Sequence, residues 1–351
     1  MADNLTPAPR GFASDNYAGI HPEVLEAIAR VNHGHQVAYG DDTTTALLRD
    51  RIKDTFGAQA EVFPVFNGTG ANVVALQALT QRWEAVVCAS SAHVHVDEGG
   101  APETMAGLKL WTVPTPDGKL DPALVATQAF DFGFVHRAQP GAVTIAQSTE
   151  LGTVYSRDDV GTLADYVHGL GLRLHMDGAR LSNAAASLGE AFRSFTTDSG
   201  VDALSFGGTK NGIMLGEAVV VLDPHAAPAV DFLRKTSMQL ASKMRFISAQ
   251  LLALLTDDLW LRNASHANAM ATRLATHVAA IEGVAITRPV QANAVFAILP
   301  AGVTAALQEA FRFYTWDQAT GEVRWMCSWD TTEADVDAFA EAIRREMAAT
   351  R

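Results

Sequence analysis

Cysteine is scarce in this chain. Cys88 and Cys327 are the only two in 351 residues. Two thiols that far apart build no disulfide framework, and without a CxxC pair there is no thiolate zinc knuckle. Positive charge is also short, with 26 Lys and Arg against 39 Asp and Glu and a net charge of −13. A nucleic-acid backbone needs a basic face, so that class of partner is excluded. No apolar run approaches the roughly 18 residues of a membrane span. The opening text "MADNLTPAPRGFASDN" lacks the apolar core of a secretion signal. The expected setting is therefore the reducing cytoplasm, away from membranes. Internal repeats and low-complexity segments are missing as well. What remains is 48% apolar and 19% charged, the make-up of an ordinary globular protein. At this length, two cores of unequal size are expected.

Helical and strand patterns alternate from residue 21 to about 225. "HPEVLEAIARV" has Pro22 in its first turn and helical spacing; "DDTTTALLRDRIKDTFG" opens on capping residues and closes on Gly57. Short apolar runs at 61–66, 85–90, 108–113, 142–147, 172–177, 202–206 and 217–222 read as strands. Strands separated by helix-length segments predict an α/β layered domain with a mostly parallel sheet, whose ligands sit beyond the strands' carboxyl ends. The text from 230 to 262 is mainly helical. Helix, strand, helix, strand and helix follow, a small C-terminal α/β domain. The division is drawn as 1–250 and 251–351.

The chemistry-bearing residues fall just after strands. "NGTGAN" (67–72) lies between a strand and the helical "VVALQALTQRW", and its glycines would let backbone N–H groups converge on one phosphate. A tight turn explains the same stretch equally well. Asp177 closes the strand in "LHMDGAR"; there it could cap a helix, ligate a metal or pair with a protonated heterocyclic nitrogen. Partner ligands at metal spacing are missing, so no metal is expected. Lys210, in "SFGGTKNG", leaves a buried strand for a glycine-rich loop, an unusual place for a costly amine. Any one of these is weak. Phosphate loop, strand-end Asp and strand-end Lys in that order are together what pyridoxal phosphate requires: a holder for its phosphate, a partner for its ring nitrogen and an amine for a Schiff base.

The sequence resembles the L-threonine aldolase family of fold-type-I pyridoxal-phosphate enzymes. The match runs through "FASDN", "YGDD", "NGTGAN", "SAHVHVDEGGAPE", "HMDGAR", "SFGGTKNG" and "VRWMCSW", nearly the whole chain, with "HMDGAR" and "TKNG" closest to the low-specificity or phenylserine branch. The resemblance implies a large domain with a seven-stranded sheet and a small C-terminal domain. It implies Lys210 as the Schiff-base lysine and Asp177 as the partner of the ring nitrogen. Gly68, Thr69 and Gly70 would hold the phosphate, with Thr209 beside Lys210. His93 would stack on the ring, and Ser14, Arg180 and Arg324 would take the substrate carboxylate. Tyr39 would lie near the site, reaching toward a neighbouring subunit, and Arg245 would help with the phosphate. Homotetramers built of dimers with shared sites are implied too.

The implied reaction is cleavage of a β-hydroxy-α-amino acid, such as threonine, allo-threonine or phenylserine, to glycine and an aldehyde. One departure concerns the base. Where many members carry a histidine after the "VTIAQ"-type strand, this chain reads "QSTELG", with Glu150 at that position. A carboxylate has a reference pKa of about 4.3, an imidazole about 6.5. His93 is the leading candidate for the base and Glu150 the second. His95, two residues on, could share a face with His93 and reads as structural. A β-eliminating lyase or an aminotransferase would keep the same three elements, and a nucleotide-binding protein would use Lys210 as a plain phosphate contact.

Overall fold

The computed structural model describes residues 10–350. The larger sheet has seven strands: β1 (Glu61–Val65), β2 (Glu84–Ala89), β3 (Lys109–Val113), β4 (Gln139–Ala146), β5 (Arg173–Gly178), β6 (Ala203–Gly207) and β7 (Glu217–Val221). Their spatial order is β1-β7-β6-β5-β4-β2-β3. β3, β2, β4, β5 and β6 run parallel, and β7 is antiparallel to both of its neighbours. β6 and β7 are buried at every position, which is why their text, apart from Ser205 and Glu217, is apolar rather than alternating. Each expected strand is found; β4 begins at Gln139, ahead of the apolar run at 142–147.

Local signals set the helices that flank this sheet. His21 caps the helix Pro22–Val31 by accepting the Glu23 amide at 3.2 Å. Asp42 caps Thr43–Phe56 by accepting the Thr45 amide at 2.7 Å, and Gly57, at φ +118°, ends it. The stretch Gly68-Thr69-Gly70 differs from expectation. It is the first turn of the helix Gly68–Leu79 rather than a loop before it, because the Asn67 side chain accepts the Gly70 amide at 2.8 Å and starts the helix at Gly68, well ahead of the expected start at Val73.

The smaller sheet is antiparallel, in the order β10-β11-β9-β8, from β8 (Ala285–Ile286), β9 (Ala294–Ile298), β10 (Tyr314–Asp317) and β11 (Glu322–Met326). The helix Glu333–Ala349 covers it. β8 and β10 were not legible as apolar runs: one is two residues long and the other has no buried position. The helical text on either side of residue 262 is one helix, Leu259–Ala279. The main hydrophobic core reaches Leu259, while the second core takes up the chain again at Met270, so the cores part within that helix. The expected division at 250–251 falls inside the preceding helix, Met244–Leu254. Phe12, far from the C-terminal domain in sequence, belongs to its core. Its amide donates to the Arg312 carbonyl at 2.8 Å, its carbonyl accepts from the Met326 amide at 2.7 Å, and its ring stacks on Phe339 at 4.5 Å. This crossing brings residues 14–16 to the mouth of the larger sheet.

Candidate active site

The carboxyl ends of β5 and β6 and the start of the helix Gly68–Leu79 enclose a cavity of about 220 Å³. Gly68, Thr69, His93, Asp177, Thr209 and Lys210 all line it. Six residues from four distant stretches of sequence therefore meet, as the strand-end rule for parallel sheets requires.

Lys210 sits in a single turn, Thr209–Asn211, one residue beyond β6. Its amine has no hydrogen bond or ion pair among the described residues. The carboxylates of Asp15, Asp177 and Glu217 act on it through space. The turn itself is tied down: Glu217, at the start of β7, accepts the Gly208 amide at 2.6 Å and the Thr209 amide at 3.3 Å. Burial raises the Glu217 carboxyl above its usual range despite these bonds. Gly207 permits the close approach of β6 to the residue after β5, since a Cβ there would stand 2.6 Å from the Ala179 backbone.

Asp177 is buried at the end of β5. Its Oδ2 accepts from Asn72 Nδ2 at 2.8 Å and its Oδ1 from the Ala179 amide at 2.9 Å. Burial opposes its charge, but Lys210, Asn72 and the Ala179 amide outweigh burial and hold the carboxyl below its usual range. No cation lies in salt-bridge contact with it among the described residues. At the other end of the cavity, the amides of Gly68 and Thr69 belong to a first helical turn and have no intrahelical acceptor. A Cβ at Gly68 would meet nothing within 4 Å. An anion-binding helix start, a partnerless amine and an ionised carboxylate facing one cavity fit the phosphate, carbonyl carbon and ring nitrogen of pyridoxal phosphate.

His93 begins a helical turn, His93–Val96, directly after β2. In a helix, residues two apart point to nearly opposite sides. The expected shared face with His95 is therefore corrected: His95 is exposed and does not line the cavity. His93 is held twice. Its amide donates to Glu150 Oε1 at 2.7 Å, and its Nδ1 lies 3.0 Å from Glu98 Oε1. The bond to Glu98 raises the imidazole above its ordinary value, against burial. Desolvation pushes the Glu150 carboxyl up to about 7, although its amide bond to His93 and the nearby imidazole pull the other way.

The two arginines differ. Arg180 is already engaged: Nε donates to Asp15 Oδ2 at 2.7 Å and Nη2 to Asp15 Oδ1 at 2.9 Å. Asn293 Nδ2 supports the same carboxylate at 3.0 Å. Arg324, on β11, lies over the Trp316 ring at 4.5 Å, and its buried Nε has no partner among the described residues. Burial and the like charge of Arg180 lower its guanidinium to about 10. Ser14 spends its hydroxyl oxygen on the Asn16 amide at 3.2 Å.

Tyr39 and Arg245 are not brought to this cavity. Tyr39 is half exposed at φ +63°, with Lys235 Nζ 5.2 Å from its ring centre. Arg245 donates to the His33 carbonyl at 3.2 Å. The Tyr39 amide bonds to the Ser242 carbonyl, so the two residues share one side of the molecule. Sequence reasoning missed Asp15, Asn72, Glu98 and Glu217. Each was within or beside a quoted motif, and Glu217 stood out as a lone acid opening a wholly buried strand.

Residues 11–301 match the family described as beta-eliminating lyase. A low specificity L-threonine aldolase of Pseudomonas sp. (strain NCIMB 10558) is 46% identical over 347 residues, 98% of this chain and 100% of that one. The protein of the same name from Pseudomonas aeruginosa is also 46% identical over 98% of this chain and all of its own length. The solved threonine aldolase of Leishmania major superposes with a TM-score of 0.91 at 30% identity, covering 97% of this chain and 100% of that one.

Proposed function

Because the chain belongs to the beta-eliminating lyase family, among its L-threonine aldolases, we propose that the cavity at Lys210 cleaves the Cα–Cβ bond of L-β-hydroxy-α-amino acids. The products are glycine and an aldehyde, and the cofactor is pyridoxal phosphate. Threonine, allo-threonine and phenylserine-like amino acids are the substrates we assign. When bound, pyridoxal phosphate supplies the electron sink for the pair left at Cα.

The chain's own groups do the rest. Lys210 is the covalent anchor. Asp177, held ionised by Lys210 and Asn72, keeps a ring N–H in place. Gly68, Thr69 and Thr209 would cradle the phosphate; Gly70, expected beside them, does not line the cavity and spends its amide on the Asn67 cap. Arg324, with the remaining Nη1 of Arg180, takes the substrate carboxylate and so turns the Cα–Cβ bond into a reactive orientation. Ser14 lies beside them on the crossing segment. The β-hydroxyl must lose its proton as the aldehyde carbonyl forms; His93 accepts it, and Glu150, titrating near neutrality, is the second candidate.

The observation that carries this reading is the joint exposure of an unpaired amine and an ionised carboxylate to one cavity. Its test is product analysis of the holoenzyme with threonine and phenylserine, without a keto-acid acceptor. Equimolar glycine and aldehyde are expected. Ammonia with a keto acid would indicate β-elimination instead, and no turnover without an acceptor would indicate transamination. Borohydride trapping and peptide mapping should place the label on Lys210.

The working form we propose is a cytoplasmic homotetramer, a dimer of dimers. Tyr39 and Arg245 lie on the outside, away from their own cavity, where they would border a neighbour's site. Phe130, Phe132, Phe134 and Val135 form a second exposed apolar stretch. No helix among the described residues is long and apolar enough to cross a membrane. Mixing a Lys210→Ala chain with a Tyr39→Phe, Arg245→Ala chain should regenerate activity that neither has alone if sites are shared; no regeneration would refute sharing.

A further inference from the structure

A hydrogen-bonded chain of four side chains runs beneath the cavity. Glu98 has a fully buried side chain. Its Oε1 lies 3.0 Å from His93 Nδ1 and 2.8 Å from Asn72 Nδ2. Asn72 Nδ2 also lies 2.8 Å from Asp177 Oδ2. We propose that Glu98 is the positioning residue that fixes the tautomer of His93, and that Asn72 joins this pair to the carboxylate of Asp177. The inference rests on the reading of His93 as the proton acceptor.

The chemistry follows from the donors available. A carboxylate only accepts, so the Nδ1 facing Glu98 must carry the hydrogen, and the lone pair of neutral His93 is left on Nε2. The His93 side chain keeps 39% of its exposure, on the cavity side, while its amide is fixed by Glu150. Ring and backbone are thus held by different acids. Asn72 spends both N–H groups on carboxylates, so it cannot flip, and its buried Oδ1 has no partner among the described residues. Glu98 Oε2 is likewise buried without one. A neutral amide between two acids keeps Glu98 and Asp177 from competing for one proton, which two carboxylates in direct contact would do.

The test is Glu98→Gln in the holoenzyme, alone and combined with His93→Asn. The variant keeps size and acceptor oxygen but loses the charge. The charged groups facing His93 are Glu98, Asp177 and Lys210, with Glu150 at its amide. Removing the first favours neutral imidazole. The acid limb of kcat/KM should therefore move to lower pH, while kcat falls at least about 10-fold and KM stays within about twofold. Nitrogen NMR of labelled histidine should show His93 as the Nδ1–H tautomer in the parent and a mixture in the variant. In the His93→Asn background the second substitution should add nothing beyond about twofold. Glu98→Asp, which keeps the charge at longer reach, should fall between and guards against a folding defect in the amide variant. An unmoved pH limb with an unchanged tautomer, or an equal loss in both backgrounds, overturns the proposal. Lys210→Ala is measured in parallel. If it still turns over, the aldolase reading of the site is wrong; if it is inactive and Glu98→Gln is silent, only the role of Glu98 fails.

Discussion

Replacing Arg324 with Gln should weaken substrate binding without weakening the fold. Arg324 has no carboxylate within ion-pair distance among the described residues, and its buried Nε is unpartnered. Burial and Arg180 lower its guanidinium from 12.5 to about 10, a displacement worth about 3 kcal/mol against the cation. Stacking on Trp316 returns about 1–2 kcal/mol. Removing the charge should then leave the free protein as stable as before or about 1–2 kcal/mol more so. A substrate carboxylate loses a charge-assisted contact of about 1.5–3 kcal/mol, which raises KM roughly 10- to 150-fold.

Arg180→Gln is the control, because it does the opposite. Its partner Asp15 has no side-chain exposure, and stripping a buried carboxylate of its cation costs about 3–5 kcal/mol. The assays are aldehyde release across a threonine series and thermal melts with and without glycine. Glycine should raise the melting point of the parent more than that of Arg324→Gln. If Arg324→Gln lowers stability by more than about 2 kcal/mol and leaves KM alone, the guanidinium is structural and the carboxylate assignment is wrong.

Three further outcomes are expected. Asp177→Ala should cut kcat far more than it weakens binding of pyridoxal phosphate, measured by cofactor titration, because its carboxylate acts on the ring nitrogen rather than on the phosphate. Glu150 keeps its proton to about 7 in the fold, against 4.5 for a free carboxyl. The native state thus binds more protons between those values, and stability falls as pH rises through that window. Glu150→Gln should flatten the fall in denaturant melts; if it also keeps full activity while His93→Ala is inactive, Glu150 is not the base. Gly207→Ala should cost about 1–3 kcal/mol in melts and lower activity, since the added methyl meets the Ala179 backbone; an unperturbed variant would refute the close-packing account.

Most of the larger sheet was legible because its strands are buried on both faces and bounded by Gly, Pro or Asp. The cofactor-facing set was legible as types in order, a glycine turn, a strand-end Asp and a strand-end Lys. The pairings among the charges were not. Arg180 reads as a clamp in "HMDGAR", and only the crossing of the N-terminal segment past Phe12 shows that Asp15 already holds it. Glu98 follows His93 by five residues, yet its link to Asp177 depends on Asn72 in another helix. The hairpin strand β10 carries the Trp316 that supports Arg324, but its half-exposed residues leave no period to read. Such contacts join residues 26 to 165 positions apart, and one sequence contains no signal for them.

The pairing pattern divides the charged groups by what their loss would change. Asp15 and Arg180 satisfy each other, and Glu217 satisfies the two amides ahead of Lys210. Substituting any of these leaves a buried group without its partner, so the first effect is on stability. Among the described residues, Lys210 and Arg324 have no such hydrogen-bonded or ion-paired partners. The charge of Arg324 costs the free protein stability and is offset only on contact with another molecule, so its loss should appear in KM while melts stay flat or improve. Loss of Lys210 should abolish turnover and also withdraw the cation that helps hold Asp177 and Asp15 ionised. Asp177 stands between, bonded to neutral donors on both oxygens and facing Lys210 across the cavity with no ion-paired cation among the described residues, and its variants should register in both measurements. A melt-and-kinetics scan over these six residues therefore sorts scaffold from reacting group without a bound ligand in view. An Arg324 variant that melts far below the parent would break the division.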